Sequence, residues 1–178
     1  MDLREKKTRR SIRSAFLQLR ARKPLERITV KELCELAEIS KATFYLHYHD
    51  LYDLSDHLQQ EVVQSILSSI THPERFASEH ERFVLELFDA FCAQQSLIEI
   101  LFSGSQASVL PTSIEREIKA MIYRMRPELR DNAACNILLT YQIQGGFYAY
   151  MEHRREFGAD QVRLAVSRIS ALLSGSLS

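Results

Sequence analysis

The sequence predicts an all-α fold of about nine helices: an N-terminal three-helix domain containing a helix-turn-helix, joined by a long fourth helix to a helical remainder. Three observations predict it. Apolar residues recur at helical spacing along most of the chain, start and stop signals cut that pattern into helix-length segments, and no run alternates apolar and polar residues convincingly enough to make a strand. A chain of 178 residues can bury a sizeable core. The expected boundary separates a helix-turn-helix domain over 1–49 from a second helical domain over 50–178.

Ile12, Ala15, Phe16 and Leu19 fall at i, i+3, i+4 and i+7, so residues from about 5 to 22 form an amphipathic first helix with a cationic outer face. Pro24 ends it by disfavouring helical geometry at Lys23. Thr29-Val30-Lys31-Glu32 is a capping box with Ile28 and Leu33 at the staple positions, opening a second helix at 30–37. Ser40 caps a third helix of about two turns, with Ile39 and Phe44 as its staple. Asp50 opens the fourth, whose Leu51, Leu54, Leu58, Val62, Ile66 and Ile70 trace one face up to Pro73. Three helices over about 47 residues are too few for an independent core, so the fourth must tie them to the rest.

Further on, Phe83, Val84, Leu87, Phe88 and Phe91 mark a fifth helix, Leu97 to Phe102 a short sixth and Ile114 to Met125 a seventh. Pro127 sits where a first-turn proline would, starting an eighth helix through Met151. The ninth carries Val162, Ala165, Val166, Ile169, Leu172 and Leu173 at helical spacing.

Charge is distributed unevenly although the total is zero. Residues 1–50 carry 12 lysines and arginines against 7 aspartates and glutamates, which leaves 11 against 16 in the remainder. The basic end, densest in REKKTRRSIR at 4–13, is the part suited to a polyanion. No apolar stretch is long enough to span a membrane and the N-terminus has no apolar signal core, so a soluble cytoplasmic protein is expected. Cys34, Cys92 and Cys135 are too far apart for a disulfide framework or a close-spaced zinc site and read as core residues.

The stretch SKATFYLHYHD at 40–50 concentrates rings beside hydroxyls and a lysine. His47 and His49, two apart on a helix, point to different faces and cannot hold one metal ion. Asp53 and His57 at i, i+4 read as a solvated ion pair. No nucleophile motif, phosphate-cradling glycine loop or HExxH is present, so neither an enzyme nor a cofactor or metal is expected. The third helix makes more sense as a DNA reader: Phe44 and Tyr48 face inward, while Lys41, Thr43, Tyr45 and His47 offer donors at the exposed edge.

Thr29-Val30-Lys31-Glu32-Leu33, then Ile39-Ser40-Lys41-Ala42-Thr43-Phe44-Tyr45-Leu46-His47-Tyr48, then Asp50 with Leu54, closely resembles the N-terminal domain of TetR-type transcriptional regulators. The motif covers about residues 8–55. Beyond Pro73 the likeness rests on length and helix count alone. The resemblance implies a DNA-binding regulator, expected to be a repressor, acting as a homodimer on a palindromic operator under control of a small apolar effector or a protein co-regulator. The other class in view is an all-helical protein-interaction module.

Carried over by position, the resemblance implies that Lys31 and Lys41 reach base edges or nearby phosphates. Thr29, Thr43, Tyr45 and His47, with Ser40 beside them, match positions against the DNA backbone, and Leu46 lies where it meets a thymine methyl. Two positions depart from the family. Glu38 stands where a glycine is common, which points to a turn built differently because a left-handed non-glycine residue costs about 1 kcal/mol. Leu51 replaces a phosphate-holding lysine, leaving Arg9 and Arg10 of the first helix to compensate. The resemblance further implies a four-helix dimer interface from the eighth and ninth helices, here Gly145, Tyr148, Val162, Val166, Ile169, Leu172 and Leu173. Gly145-Gly146 points to close packing or a kink. Phe88, Phe91, Phe102, Tyr123, Tyr141 and Phe147 are the candidates for an effector pocket.

Overall fold

Local capping and a narrow apolar stripe on each helix dictate the first part of the chain. The computed structural model describes residues 3–174, with backbone alone for 77 and 78. Helix α1, Leu3–Arg20, buries Ile12, Ala15 and Phe16 and turns its basic side outward. It gives way before Pro24 to the single 3₁₀ turn Leu25–Arg27. Helix α2, Val30–Ala37, starts on the expected reciprocal cap: Thr29 Oγ1 accepts from the Glu32 amide at 3.2 Å, and the Thr29 amide donates to Glu32 Oε2 at 3.0 Å.

The turn after α2 corrects one expectation. Glu38 adopts the left-handed conformation, φ 55° and ψ 45°, that a glycine would take more cheaply. The Ile39 amide donates to the Cys34 carbonyl at 3.0 Å and the Glu38 amide to the Glu35 carbonyl at 3.4 Å. These two bonds make the usual left-handed helix terminus. The turn is therefore built in the ordinary way, and the chain carries the strain of a side chain at that position.

Helix α3, Lys41–Tyr45, is only five residues long, with Ser40 Oγ accepting from the Thr43 amide at 3.0 Å. Helix α4, Leu51–Ser68, is capped by Asp50 Oδ1, which accepts from the amides of Tyr52 and Asp53, both at 2.8 Å. Asp53 accepts the His49 amide at 2.8 Å, and the His57 ring stands edge-on to Tyr48; the expected Asp53–His57 pair is replaced by these two contacts. The helix stops at Ser68 rather than running on to Pro73, and Ile70 is buried beyond its end. Ser69 Oγ donates back to the Ser65 carbonyl at 2.9 Å, the local competition by which serines weaken a last turn.

The chain divides into two units, and the division differs from a cut at residue 50. One unit joins Met1–Val62 to Ser96–Ala107; the other joins Val63–Gln95 to Ser108–Ser178. The boundary thus falls inside α4, and α7, Gln95–Leu101, belongs almost entirely with the N-terminal helices. Two buried polar side chains tie that distant segment in. Gln59 Nε2 donates to the Leu101 carbonyl at 3.0 Å, and Arg20 Nη2 donates to Ser103 Oγ at 3.1 Å.

The second unit contains the single turn α5, Arg75–Ser78, then α6, His80–Ala93, α8, Val109–Met125, α9, Ala133–Phe157, and α10, Ala159–Ser174. Counting α5, ten α-helical segments and no strand occur among the described residues. No helix among them is long and apolar enough to cross a membrane. Pro127 opens a separate 3₁₀ turn, Pro127–Leu129, and not α9. The start of α9 is set instead by Asn132, whose Oδ1 accepts from the Cys135 amide at 3.0 Å. The helix runs unbroken through Gly145-Gly146. A Cβ built on Gly146 would lie 3.1 Å from Val166 Cγ1, whereas Gly145 has open space around it, so only the second glycine serves the close approach of α9 to α10.

Replacing Glu38 by glycine should raise the unfolding free energy by up to about 1 kcal/mol, since it removes the left-handed penalty, offset in part by glycine's greater freedom in the unfolded chain. Chemical denaturation of Glu38→Gly beside Glu38→Ala checks this; alanine should give no such gain.

Candidate functional site

Two features stand out from the fold, one in each unit. The first is the rim of α3. Phe44 is fully buried and Tyr48 nearly so, their ring centroids 5.9 Å apart, so the residues between and beside them are turned outward. Leu46 is 82 % exposed, Tyr45 and Lys41 are exposed, and Thr43 and His47 are half-buried. Thr29, Lys31 and Ser40 are exposed nearby on α2 and the turn.

The hydroxyls of this rim are partly committed. Thr29 Oγ1 donates to Glu32 Oε2 at 2.9 Å, so it is occupied in the capping box. Ser40 Oγ and Thr43 Oγ1 are 2.8 Å apart and share one hydrogen bond between two hydroxyls, which leaves one O–H able to donate outward. Among the cations, Lys31 lies 3.9 Å from Glu35 with both side chains largely exposed, a weak pair that a polyanion can displace. Arg9 pairs with Glu5 at 3.2 Å and stands over the Tyr48 ring at 5.9 Å, whereas Arg10 is exposed. Leu51 is buried among the α4 core residues, and the Asp50 carboxylate takes the α4 amides next to it. Leu36 and Tyr52 are also exposed in this unit. Nothing singled them out in the sequence, where apolar residues on a short amphipathic helix read as core.

The second feature is a cavity of about 80 Å³ in the C-terminal unit, partly open to solvent. Its walls include six aromatic rings, Phe76, Phe83, Phe88, Phe91, Phe147 and Tyr150. Of the residues expected there, Phe88, Phe91 and Phe147 line it and three others do not. Phe102 is buried in the other unit, Tyr123 Oη is occupied by Asn136 Oδ1 at 2.5 Å, and Tyr141 is 66 % exposed on the opposite side of α9.

Three polar side chains also reach the cavity: His80, Gln142 and Ser170. His80 Nδ1 lies 3.1 Å from the Phe76 carbonyl and Nε2 3.1 Å from Ser170 Oγ. A carbonyl only accepts, so Nδ1 carries the proton and Nε2 accepts from the serine hydroxyl. Burial holds the His80 pKa below its usual value, only partly opposed by the bond to Phe76. Gln142 Nε2 donates to the Ser170 carbonyl at 2.9 Å. Tyr150 Oη sits 3.4 Å from Cys92 Sγ, and burial together with that thiol pushes the phenol up to about 12. His80 went unremarked in the sequence, although it stands at i, i+3, i+4, i+7 with Phe83, Val84 and Leu87 and so lies on the apolar stripe of α6.

The residues expected at a dimer interface are split between two sides of the C-terminal unit. Val162 is buried and Val166 lines the cavity, so both face inward. Ile169, Tyr148, Gly145 and Leu172 face outward, Leu172 being 81 % exposed, and Leu173 is half-buried. Ile137 and Tyr141 extend the same apolar exposure along α9.

The neutral His80 makes a pH dependence of known sign. Its folded pKa lies below the unfolded value near 6.5, so the unfolded chain takes up the extra proton, and stability complete above about pH 6.5 falls as the pH drops. The decline in Tm between about pH 7.5 and 5.5 should be smaller in His80→Gln than in the unaltered chain; equal declines would show that His80 binds the same number of protons in both states, so that folding does not shift it. In comparison with known proteins, no protein-family model matches this chain, and no curated protein matches it.

Proposed function

We propose that the chain is a homodimeric, sequence-specific binder of double-stranded DNA that regulates transcription, most simply as a repressor. The observation that carries this reading is the helix-turn-helix of α2 and α3. Its second helix is pinned by Phe44 and turns Lys41, Tyr45 and Leu46 outward, within a unit that also exposes the cationic side of α1. Ammonium, hydroxyl and a helix N-terminus are groups that hold phosphate, and an exposed leucine suits a thymine methyl. In the C-terminal unit, the apolar outer residues of α9 and α10 support self-association. One turn of reading helix contacts few base pairs, so two copies on a two-fold site are required for specificity. The cavity supports control by a small ligand. At about 80 Å³ it is roughly half the 150 Å³ that accommodates benzene, so a ligand must be small or must displace walls.

One observation favours a second reading. Leu36, Tyr45, Leu46 and Tyr52 give the N-terminal unit considerable apolar exposure, which suits a protein partner. The two readings separate on salt. A DNA binder loses affinity steeply with added salt because phosphate contacts release counterions, and a protein-binding module is indifferent to duplex DNA.

Fragments selected from source-genome DNA, followed by anisotropy titrations at several salt concentrations, test the proposal. His47→Ala should weaken all duplexes alike, whereas Lys31→Ala should relax preference at one position by about 1–3 kcal/mol. Unchanged affinity and slope in both variants would remove these residues from the interface. Ile169→Asp combined with Leu172→Asp should yield monomers by sedimentation and abolish operator binding; dimers surviving the double change would refute this interface.

A further inference from the structure

The cavity of the C-terminal unit has one chemically distinctive corner, and its walls limit what can occupy the rest. Among the described residues, no aspartate, glutamate, lysine or arginine lines it. An ionic ligand would therefore be buried without a counter-charge, which is costly in an apolar site. The body of an occupant must be hydrocarbon, and the volume suits a short branched chain, whereas a single ring enters only if walls move, since the space is about half of that which accommodates benzene.

The corner then selects the polar group. His80 Nδ1–H is fixed on the Phe76 carbonyl, so Nε2 is an acceptor, now satisfied by Ser170 Oγ at 3.1 Å. A ligand O–H can take the place of the serine hydroxyl on Nε2, while the freed Ser170 hydroxyl donates to the ligand oxygen. Every buried donor and acceptor then keeps a partner. A ketone or ether has no proton to give, so engaging Ser170 would strip Nε2 of its donor. An ammonium group satisfies Nε2 but leaves its charge unbalanced. Gln142, which holds the Ser170 carbonyl at 2.9 Å, fixes the backbone of that corner while the serine side chain turns.

We propose that the effector of this cavity is a small uncharged hydrocarbon bearing a single hydroxyl, such as a phenol or an undissociated short-chain carboxylic acid, seated with that hydroxyl between His80 and Ser170. This rests on the reading of the cavity as an effector site. The aromatic walls favour the phenol, through edge-on contacts to a ligand ring.

The test uses the full-length chain and three probes: phenol, 2-methylpropanoic acid and toluene, the last as a shape control without a hydroxyl. Binding is measured by calorimetry and by thermal shift, and binding of the selected duplex is measured on the same preparation before and after each probe is added. Phenol, the acid or both should bind about tenfold more tightly than toluene, about the contribution of one buried hydrogen bond. His80→Leu combined with Ser170→Ala removes both partners of the ligand hydroxyl and should reduce that preference to near unity while toluene binding persists, which reports that the cavity remains folded; Ser170→Ala alone should retain it, because the ligand hydroxyl then satisfies the otherwise empty Nε2. The proposal is overturned if toluene binds as well as the hydroxyl probes, if the preference survives in the double variant, or if none of the three binds. A preparation that binds duplex DNA yet fails these tests loses the ligand assignment alone. One that meets them without binding DNA keeps the ligand assignment and loses the regulatory reading.

Discussion

A five-residue helix cannot hold itself together. Nucleating a helix fixes several residues for the first hydrogen bond, and α3 ends before propagation can repay that cost. What holds it is Phe44, fully buried at its centre, with the Tyr45 ring edge-on at 5.4 Å and Tyr48 tilted against it at 5.9 Å. Because one face is fixed inside, the orientation of Lys41, Tyr45 and Leu46 is fixed outside. The caps at Ser40 and Asp50 and the left-handed Glu38 serve that placement, since each sets where the short helix begins or what precedes and follows it. A strained residue retained at such a turn fits a segment whose position matters more than its local stability.

Much of this could be read from the chain because the determinants are local. A capping box spans four residues, a staple six, and a buried ring pair one turn, so Thr29, Ser40, Phe44, Tyr48 and Asp50 announce themselves. Other features lie beyond local pattern. Gln59 and Leu101 are 42 positions apart, and nothing near either one signals their hydrogen bond, so the membership of residues 96–107 in the N-terminal unit was invisible. Pro127 misled for a different reason: its fixed φ suits the first turn of a 3₁₀ segment as well as that of an α-helix, and the Asn132 side chain decides between them.

The C-terminal unit illustrates a second limit. Helix α10 carries apolar residues around more than half of its circumference, so spacing alone cannot say which side is core. In the structure Val162, Ser167 and Ser170 are inside and Ile169 and Leu172 outside. Two buried serines occupy positions that a hydropathy pattern assigns to the surface. They are tolerated because each hydroxyl is satisfied, Ser167 on the Leu164 carbonyl and Ser170 on His80. The same substitution of polar for apolar residues that obscures the packing in the sequence creates the chemical character of the cavity.

The discontinuity of the N-terminal unit also governs the order in which the protein can be made. Its last contributing residues leave the ribosome roughly 45 positions after Val62. At 5–20 residues per second that is a delay of roughly 2 to 9 s. For most of that interval the carboxamide of Gln59 has no Leu101 carbonyl to meet, and a nascent chain stalled before Ala107 lacks part of the unit that presents α3.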